Sequence, residues 1–204
     1  MNRVILASQS PRRKELLTAM GVDFEAIPSD FEEHLDDARD PALVARELAL
    51  GKAMAVAEKY PDAYVIGSDT IVTINGRQLE KPVDEADAKA MLRELSGKPN
   101  YVTTGLAVVN LSRNVRLLND DTATVFFNDI SDDEIAAYVA TGDPMDKAGG
   151  YSVQKLLGNM VDHIEGDIAT VVGLPTAPLA RMLEGCGITA RTLNEADVAD
   201  AAGF

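Results

Sequence analysis

Short runs of consecutive apolar residues alternate along this chain with longer stretches of helical periodicity. The runs VILA (Val4–Ala7) and AYVIG (Ala63–Gly67) read as buried strands, and another strand falls near Phe24–Pro28. One helix is predicted over Pro11–Met20, with Ser10 as N-cap, Pro11 at the first helical position and Gly21 just past the end. A longer one opens at Asp40-Pro41 and runs to about Tyr60, where Pro61 stops it; Ala45, Leu48, Ala49, Ala53, Val56 and Ala57 form its apolar stripe. The segment IVTINGRQL carries Asn75-Gly76, the strongest short-range hairpin signal. A two-residue turn there pairs Ile74 with Arg77 and Thr70 with Lys81. Asp84 caps a helix through Leu95, YVTTGLAVVN and TATVFFN read as a pair of strands, and Ser131 with Glu134 makes a capping box for a helix to Thr141, with Gly142 at its C-cap. Short β-rich pieces are expected up to Gly173, then a last helix over Pro175–Leu183. Residues 190–204 read as a frayed helix or a tail.

Interleaved strands and helices with a hairpin among them exclude a purely parallel sheet. They predict an α/β fold with a long mixed sheet, in one domain with room for two lobes around a cleft. At 204 residues and 46% hydrophobic content the chain has ample material for a packed core. No run of apolar residues is long enough to span a membrane, and no signal-peptide pattern is visible at the N-terminus. A single cysteine, Cys186, excludes an internal disulfide and fits a reducing cytoplasm; with only two histidines, a structural zinc site has too few ligands. The net charge of −14 argues against a nucleic-acid groove, and the acidic clusters at Asp30–Asp40 and Asp129–Glu134 read as solvated surface.

Against that acidic background the basic residues stand out. Arg12, Arg13 and Lys14 fill the first turn of a helix, where the macrodipole favours anions. Their placement makes sense if a phosphate sits there, held by free N–H groups, by Arg12 and Arg13, and by the Ser8 and Ser10 hydroxyls; the bland alternative is a pair of solvated arginines. Lys52 lies on or beside the apolar stripe of its helix and either snorkels out or reaches a buried anion. In GSDTIV a buried strand brings Asp69 to a sheet edge, within about one residue of Glu80-Lys81 across the hairpin. That carboxylate is either an ion-pair partner or, in phosphate chemistry, a metal ligand or water activator. In DPMDKAGGYSVQ, Asp146-Lys147 repeats the acid–base pairing, Gly149-Gly150 permits close backbone approach, and the Gln154 amide suits the polar edge of a nucleobase.

Taken together, LASQSPRRKELL, GSDTIV, EKP, PMDKAGGYSVQ and VVGLP match in order and spacing the motifs of the Maf family, nucleoside triphosphate pyrophosphatases once named for septum formation. The resemblance covers roughly Val4 to Leu183. It implies an elongated mixed sheet with flanking helices and a central cleft, similar to inosine-triphosphate pyrophosphatases and often homodimeric. It implies cleavage between the α- and β-phosphates with a divalent metal, Mg or Mn. The family's proton-accepting aspartate falls on Asp69, its phosphate contacts on Ser8, Arg13, Lys52 and Lys81, and an acidic metal-site position on Glu33, beside Asp69 as the other metal ligand. Arg12, Thr70 and Gln154 match the branch acting on dTTP and UTP, whereas the branch acting on 7-methyl-GTP carries an aromatic, a glutamine and a glutamate. The chain departs from the family pattern at Gly150 and Ser152, where alanine and glycine are expected. The resemblance implies an enzyme whose partner is a nucleoside triphosphate; the cysteine usage, net charge and hydropathy read above add the expectation of a cytoplasmic protein with no nucleic-acid or membrane partner. Modified pyrimidine triphosphates fall within the same expectation as dTTP and UTP; competing readings are the same chemistry on a purine or 7-methyl-GTP-like nucleotide, and a non-catalytic nucleotide-sensing regulator of septum formation. The set of Asp69, Lys52 and Lys81 favours the enzyme, because a sensor has no need of the acid.

Overall fold

A computed structural model describes residues 2–32 and 39–204. The chain runs β1 (Val4–Leu6), α1 (Pro11–Ala19), β2 (Glu25–Ala26), α2 (Pro41–Ala57), β3 (Tyr64–Ile74), β4 (Arg77–Leu79), α3 (Glu85–Leu95), β5 (Pro99–Asn110), β6 (Val115–Phe127) and α4 (Asp132–Val139). Two 3₁₀ turns, Asp143–Asp146 and Ala148–Gly150, lead to α5 (Val153–Leu156), β7 (Val161–Glu165), α6 (Ile168–Val172), α7 (Thr176–Glu184) and α8 (Glu195–Ala202). The strands form one mixed seven-stranded sheet in the order β2-β1-β3-β5-β6-β7, with β4 paired to β3. β1 is parallel to both β2 and β3, and every other pairing is antiparallel.

Alternation along β3 divides the core. Val65 faces α2 and packs with Ile5, Ala53, Val56 and Ala107. Ile66 faces the other way into the larger cluster, with Leu6, Leu16, Leu17, Leu106 and Leu179. Both faces of the central strands are covered, which is why β3 reads as a continuous apolar run rather than an alternating one.

Local signals set most boundaries. Ser10 caps α1 and Asp40 caps α2, its carboxylate accepting from the Ala42 and Leu43 amides. Asn75 and Gly76 both take positive φ, 52° and 77°, as a two-residue primed turn requires, and Ile74 pairs with Arg77. The Ser131–Glu134 capping box is present at the start of α4.

Three regions differ from the sequence expectation. The β3–β4 ladder stops at Val72↔Leu79, so Thr70 does not pair with Lys81. Lys81 precedes Pro82, which lacks an N–H and constrains the residue before it, and the Glu80 carbonyl turns instead to the Gly149 amide at 3.1 Å. The stretch up to Gly173 is mostly helical and contributes β7 alone to the sheet. In α6 the β-branched residues of IATVV are overruled by the Asp167 cap on the Ala169 amide and by burial of Ala169, Thr170 and Val172. β6 extends well before TATVFFN, paired with β5 from Asn110↔Val115 onward. Residues 195–202 form α8, which carries its own capping box between Asn194 and Asp197 and buries Val198.

Candidate active site

β5 occupies one edge of β3 from Val65 to Thr73. On the opposite edge β1 pairs only with residues 64–66 and β4 only with residues 72–74. Among the described residues, GSDTI at 67–71 therefore has no strand partner on that side, and the sheet has a notch in it. The chain leaves β1 into Ser8–Ser10 and α1 at one lip of the notch and leaves β4 into Glu80-Lys81 at the other. Such breaks in strand pairing are where open α/β sheets place ligands.

Two glycines bring α2 onto the notch. A Cβ on Gly67 would overlap the Ala49 carbonyl oxygen, and one on Gly105 would overlap the Ala45 carbonyl group. With hydrogen at both positions the helix lies directly on the backbones of β3 and β5. That seating carries Lys52 to Asp69, and their ammonium and carboxylate form an ion pair with side chains only 14% and 8% exposed. Of the two sequence readings for Lys52, the reach to a buried anion is the one adopted.

Thr70 leaves the other face of β3. Its hydroxyl accepts from Arg13 Nη2 at 3.0 Å, while Arg13 Nε donates to the Gly173 carbonyl at 2.8 Å and Nη1 lies 3.5 Å from Ser8 Oγ. Gly173 sits at φ 109°, where a side chain is strained and its Cβ would press on Thr70 and Arg13. Its carbonyl also accepts from the buried Ser68 hydroxyl at 2.9 Å. Ser8 Oγ additionally accepts from the Ser10 amide at 3.2 Å.

These groups surround a cavity of about 430 Å³, within the range of small-ligand sites. Arg12, Arg13, Lys52, Lys81 and Lys147 line it, against the carboxylates of Asp69, Glu80 and Asp146. Among the described residues five cations face three anions, a locally positive lining in a chain of net charge −14. A cleft of that kind draws in and focuses anions.

Of the residues singled out in the sequence, Arg12, Arg13, Lys52, Asp69, Thr70 and Lys81 thus share one cavity. Ser8 stands behind Arg13. Gln154 is not on the lining, although Val153 beside it is; its Oε1 accepts from Ser152 Oγ at 2.8 Å, and its Nε2 is buried with no partner among the described residues. Glu33 lies outside the described residues.

Lys147 anchors one wall. It donates to Asp146 at 2.5 Å and to the Asp143 carbonyl at 2.7 Å, and its side chain is 13% exposed. The hydrogen bond from Lys147 holds the Asp146 carboxyl below its ordinary range, with Arg12 adding to the effect. Asp143 also receives Lys155 and the Tyr138 hydroxyl, each at 2.5 Å. Burial pushes the Asp143 carboxyl up, but Lys155, Tyr138 and Lys147 together outweigh it and leave it below the ordinary value. Burial raises the Tyr138 phenol far above its usual range.

Thr104, Gly105 and the Gly173 carbonyl belong to the site yet carry no local signal of chemistry. The cue available for the first two is Thr-Gly inside an otherwise apolar strand, a pattern that marks close approach of another backbone.

The fold and cavity together define a mixed α/β protein with a cationic, acid-bearing cleft at a break in its sheet. The Maf-like protein family model matches residues 3–186, and the chain belongs to that family. It is 47% identical over 185 residues to a dTTP/UTP pyrophosphatase of Koribacter versatilis (strain Ellin345), covering 91% of this chain and 95% of that protein. To the dTTP/UTP pyrophosphatase of Bacillus cereus (strain AH820) it is 47% identical over 184 residues, covering 90% and 95%. To that of Geobacillus sp. (strain WCH70) it is 44% identical over 187 residues, covering 92% and 100%.

Proposed function

We propose that the protein hydrolyses a nucleoside triphosphate, dTTP or UTP, to the monophosphate and pyrophosphate. The observation that carries this is the Lys52–Asp69 pair inside a cationic cavity. Triphosphate binding explains the cations, and a buried carboxylate among them suits a group that takes a proton or holds a metal ion. The names borne by relatives at 44–47% identity over nearly their whole length support the same chemistry.

In this scheme Arg13, Lys52 and Lys81 bind phosphate oxygens, with the α1 N-terminus and Ser8 beside them. A water oxygen attacks the α-phosphorus as the bond from that phosphorus to the bridging oxygen breaks, and pyrophosphate leaves with the electron pair. Asp69 accepts the proton released by the water. Arg12, Thr70 and Gln154 set the choice of base, and Gln154 Nε2, with no partner among the described residues, suits a base carbonyl.

A divalent ion, Mg or Mn, fits this donor set. Among the described residues no group of three or more potential ligand side chains clusters. Mg²⁺ is commonly held by one or two carboxylates plus substrate phosphates, which Asp69 and a bound triphosphate provide, with Glu33 the second carboxylate. When bound, the ion supplies charge neutralisation at the phosphate oxygens.

A homodimer acting in the cytoplasm completes the proposal. The exposed Leu111, Leu117 and Leu118 at one end of the β5–β6 hairpin and the free Cys186 support its two parts. No helix among the described residues is long and apolar enough to cross a membrane, and the acidic net charge argues against nucleic acid as a partner.

The test is pyrophosphate release from dTTP, UTP, CTP, ATP and GTP with Mg²⁺ or Mn²⁺. We expect kcat/KM to be highest for dTTP and UTP. Release from no nucleotide overturns the proposal, and tight binding without turnover would identify a sensor instead.

A further inference from the structure

Arg13 is held by a chain of hydroxyl groups that crosses the sheet, and the hydrogen-bond direction in that chain is fixed. Thr70 on β3 lies directly opposite Thr104 on β5, and Thr104 lies opposite Asp121 on β6, so the three share one rung of adjacent strands. Thr104 is fully buried, and its hydroxyl donates at 2.8 Å to the Thr170 carbonyl of α6. A carbonyl only accepts, so the single Thr104 proton is committed there. The 2.9 Å bond between Thr70 and Thr104 hydroxyls must then be donated by Thr70. Arg13 has only donors, so at the near end Thr70 accepts. The order is Arg13 N–H to Thr70, Thr70 O–H to Thr104, Thr104 O–H to the Thr170 carbonyl. Thr170 is itself fully buried and tied down by its own hydroxyl, which donates to Asp121 Oδ2.

We infer that Thr104 is a positioning residue for catalysis: it receives the Thr70 proton, keeps a Thr70 lone pair turned to Arg13, and so fixes the guanidinium that meets the triphosphate. Without the Thr104 hydroxyl, Thr70 has lost its buried acceptor and its proton is free to rotate toward the cation. Thr70 has already used its donor on Thr104, so it meets the base as an acceptor and not through a hydrogen bond donated to it. This deepens the triphosphate site proposed above and rests on it.

The test is a double-mutant cycle in kcat/KM for dTTP, with Thr104→Val, Arg13→Ala and the combination, and with Thr104→Ser as the variant that keeps the hydroxyl. Thr104→Val is expected to lower kcat/KM by about tenfold in the wild-type background and by less than about twofold when Arg13 is already alanine. Thr104→Ser is expected to stay within about twofold of wild type. A merely structural role gives the same loss in both backgrounds, and that result, or no loss in the wild-type background, overturns the inference while leaving the triphosphate site intact. An Arg13→Ala enzyme as active as wild type would instead remove Arg13 from that site and the inference with it. Should the valine variant not fold, Thr104→Ala cuts the same hydroxyl and completes the same cycle, with the same outcomes supporting or overturning the inference.

Discussion

Asp69 and Thr70 are neighbours in sequence whose side chains leave β3 by opposite faces, Asp69 toward Lys52 of α2 and Thr70 toward Arg13 of α1. In an uninterrupted sheet such a pair serves two separated surfaces. Here the edge between β1 and β4 has no strand partner over residues 67–71 among the described residues, and one cavity takes in both. A ligand lying across that edge reaches the acid on one side and the arginine on the other.

Replacing Asp69 by asparagine should nearly abolish turnover while the fold persists. The amide keeps the shape and a hydrogen bond to Lys52 but takes no proton from water. Loss of a general base costs about 100- to 10,000-fold. Pyrophosphate release, with circular-dichroism melting alongside, measures both halves, and a kcat near wild type would rule out a catalytic Asp69.

Arg13→Ala and Lys52→Ala should both lower kcat/KM, by about 100-fold each, but should part in stability. Lys52 is paired with a carboxylate that is 8% exposed, and its removal takes away the ion-pair partner of that buried charge. Breaking a buried pair in this way costs about 3–5 kcal/mol. Arg13 is half-buried and donates to the neutral Gly173 carbonyl and Thr70 hydroxyl, and loss of these two bonds should shift Tm less. Equal shifts in Tm with unchanged kinetics would make both residues structural.

Gln154→Glu should lower kcat/KM for UTP more than for GTP. The wild-type amide presents a buried Nε2 donor, and uracil offers carbonyl oxygens to it. A carboxylate removes the donor and faces those oxygens with like polarity, leaving a polar group unpaired at a cost of about 1–3 kcal/mol. Equal losses on the two substrates would assign Gln154 to structure alone.

Acid should act through Asp143. Burial opposes its charge, but Lys155, Tyr138 and Lys147 hold its folded carboxyl below the ordinary value. Because the folded pKa is depressed, the stabilisation is present above the unfolded value, about 3.9, and is lost as pH falls through the folded one. Asp143→Asn should therefore be less stable than wild type at pH 6, with the gap closing below about pH 4. Urea midpoints measured from pH 6 to pH 2.5 check this; a gap constant with pH would show that Asp143 is not the group responsible.

How much of this was legible in the sequence depended on the range of the interaction. Asn75-Gly76 encodes its own turn, and the register of β3 on β4 followed from it as far as Val72↔Leu79. The stripe on α2 already placed Lys52 beside the apolar face. Residues 168–172 resisted prediction because the β-branched side chains of IATVV argued for strand while the Asp167 cap and packing chose a short helix. The grip of the Gly173 carbonyl on Arg13 spans 160 positions, and no local pattern records it. The rung from Thr70 to Thr104 to Asp121 likewise exists only once three strands are in register.

The bare seats at Gly67 and Gly105 bear on how this protein tolerates change. Elsewhere in the core, a substitution on one element is absorbed by rotamer adjustments in the next. Where α2 meets β3 and β5 at these glycines, the neighbours are backbone and the rigid Ala53 methyl, and no flexible side chain is present to yield. Lys52 is thereby positioned by a contact that has nothing in it to adjust. Drift in the surrounding core can accumulate without moving it, whereas one methyl group at either glycine lifts the whole helix and the lysine with it.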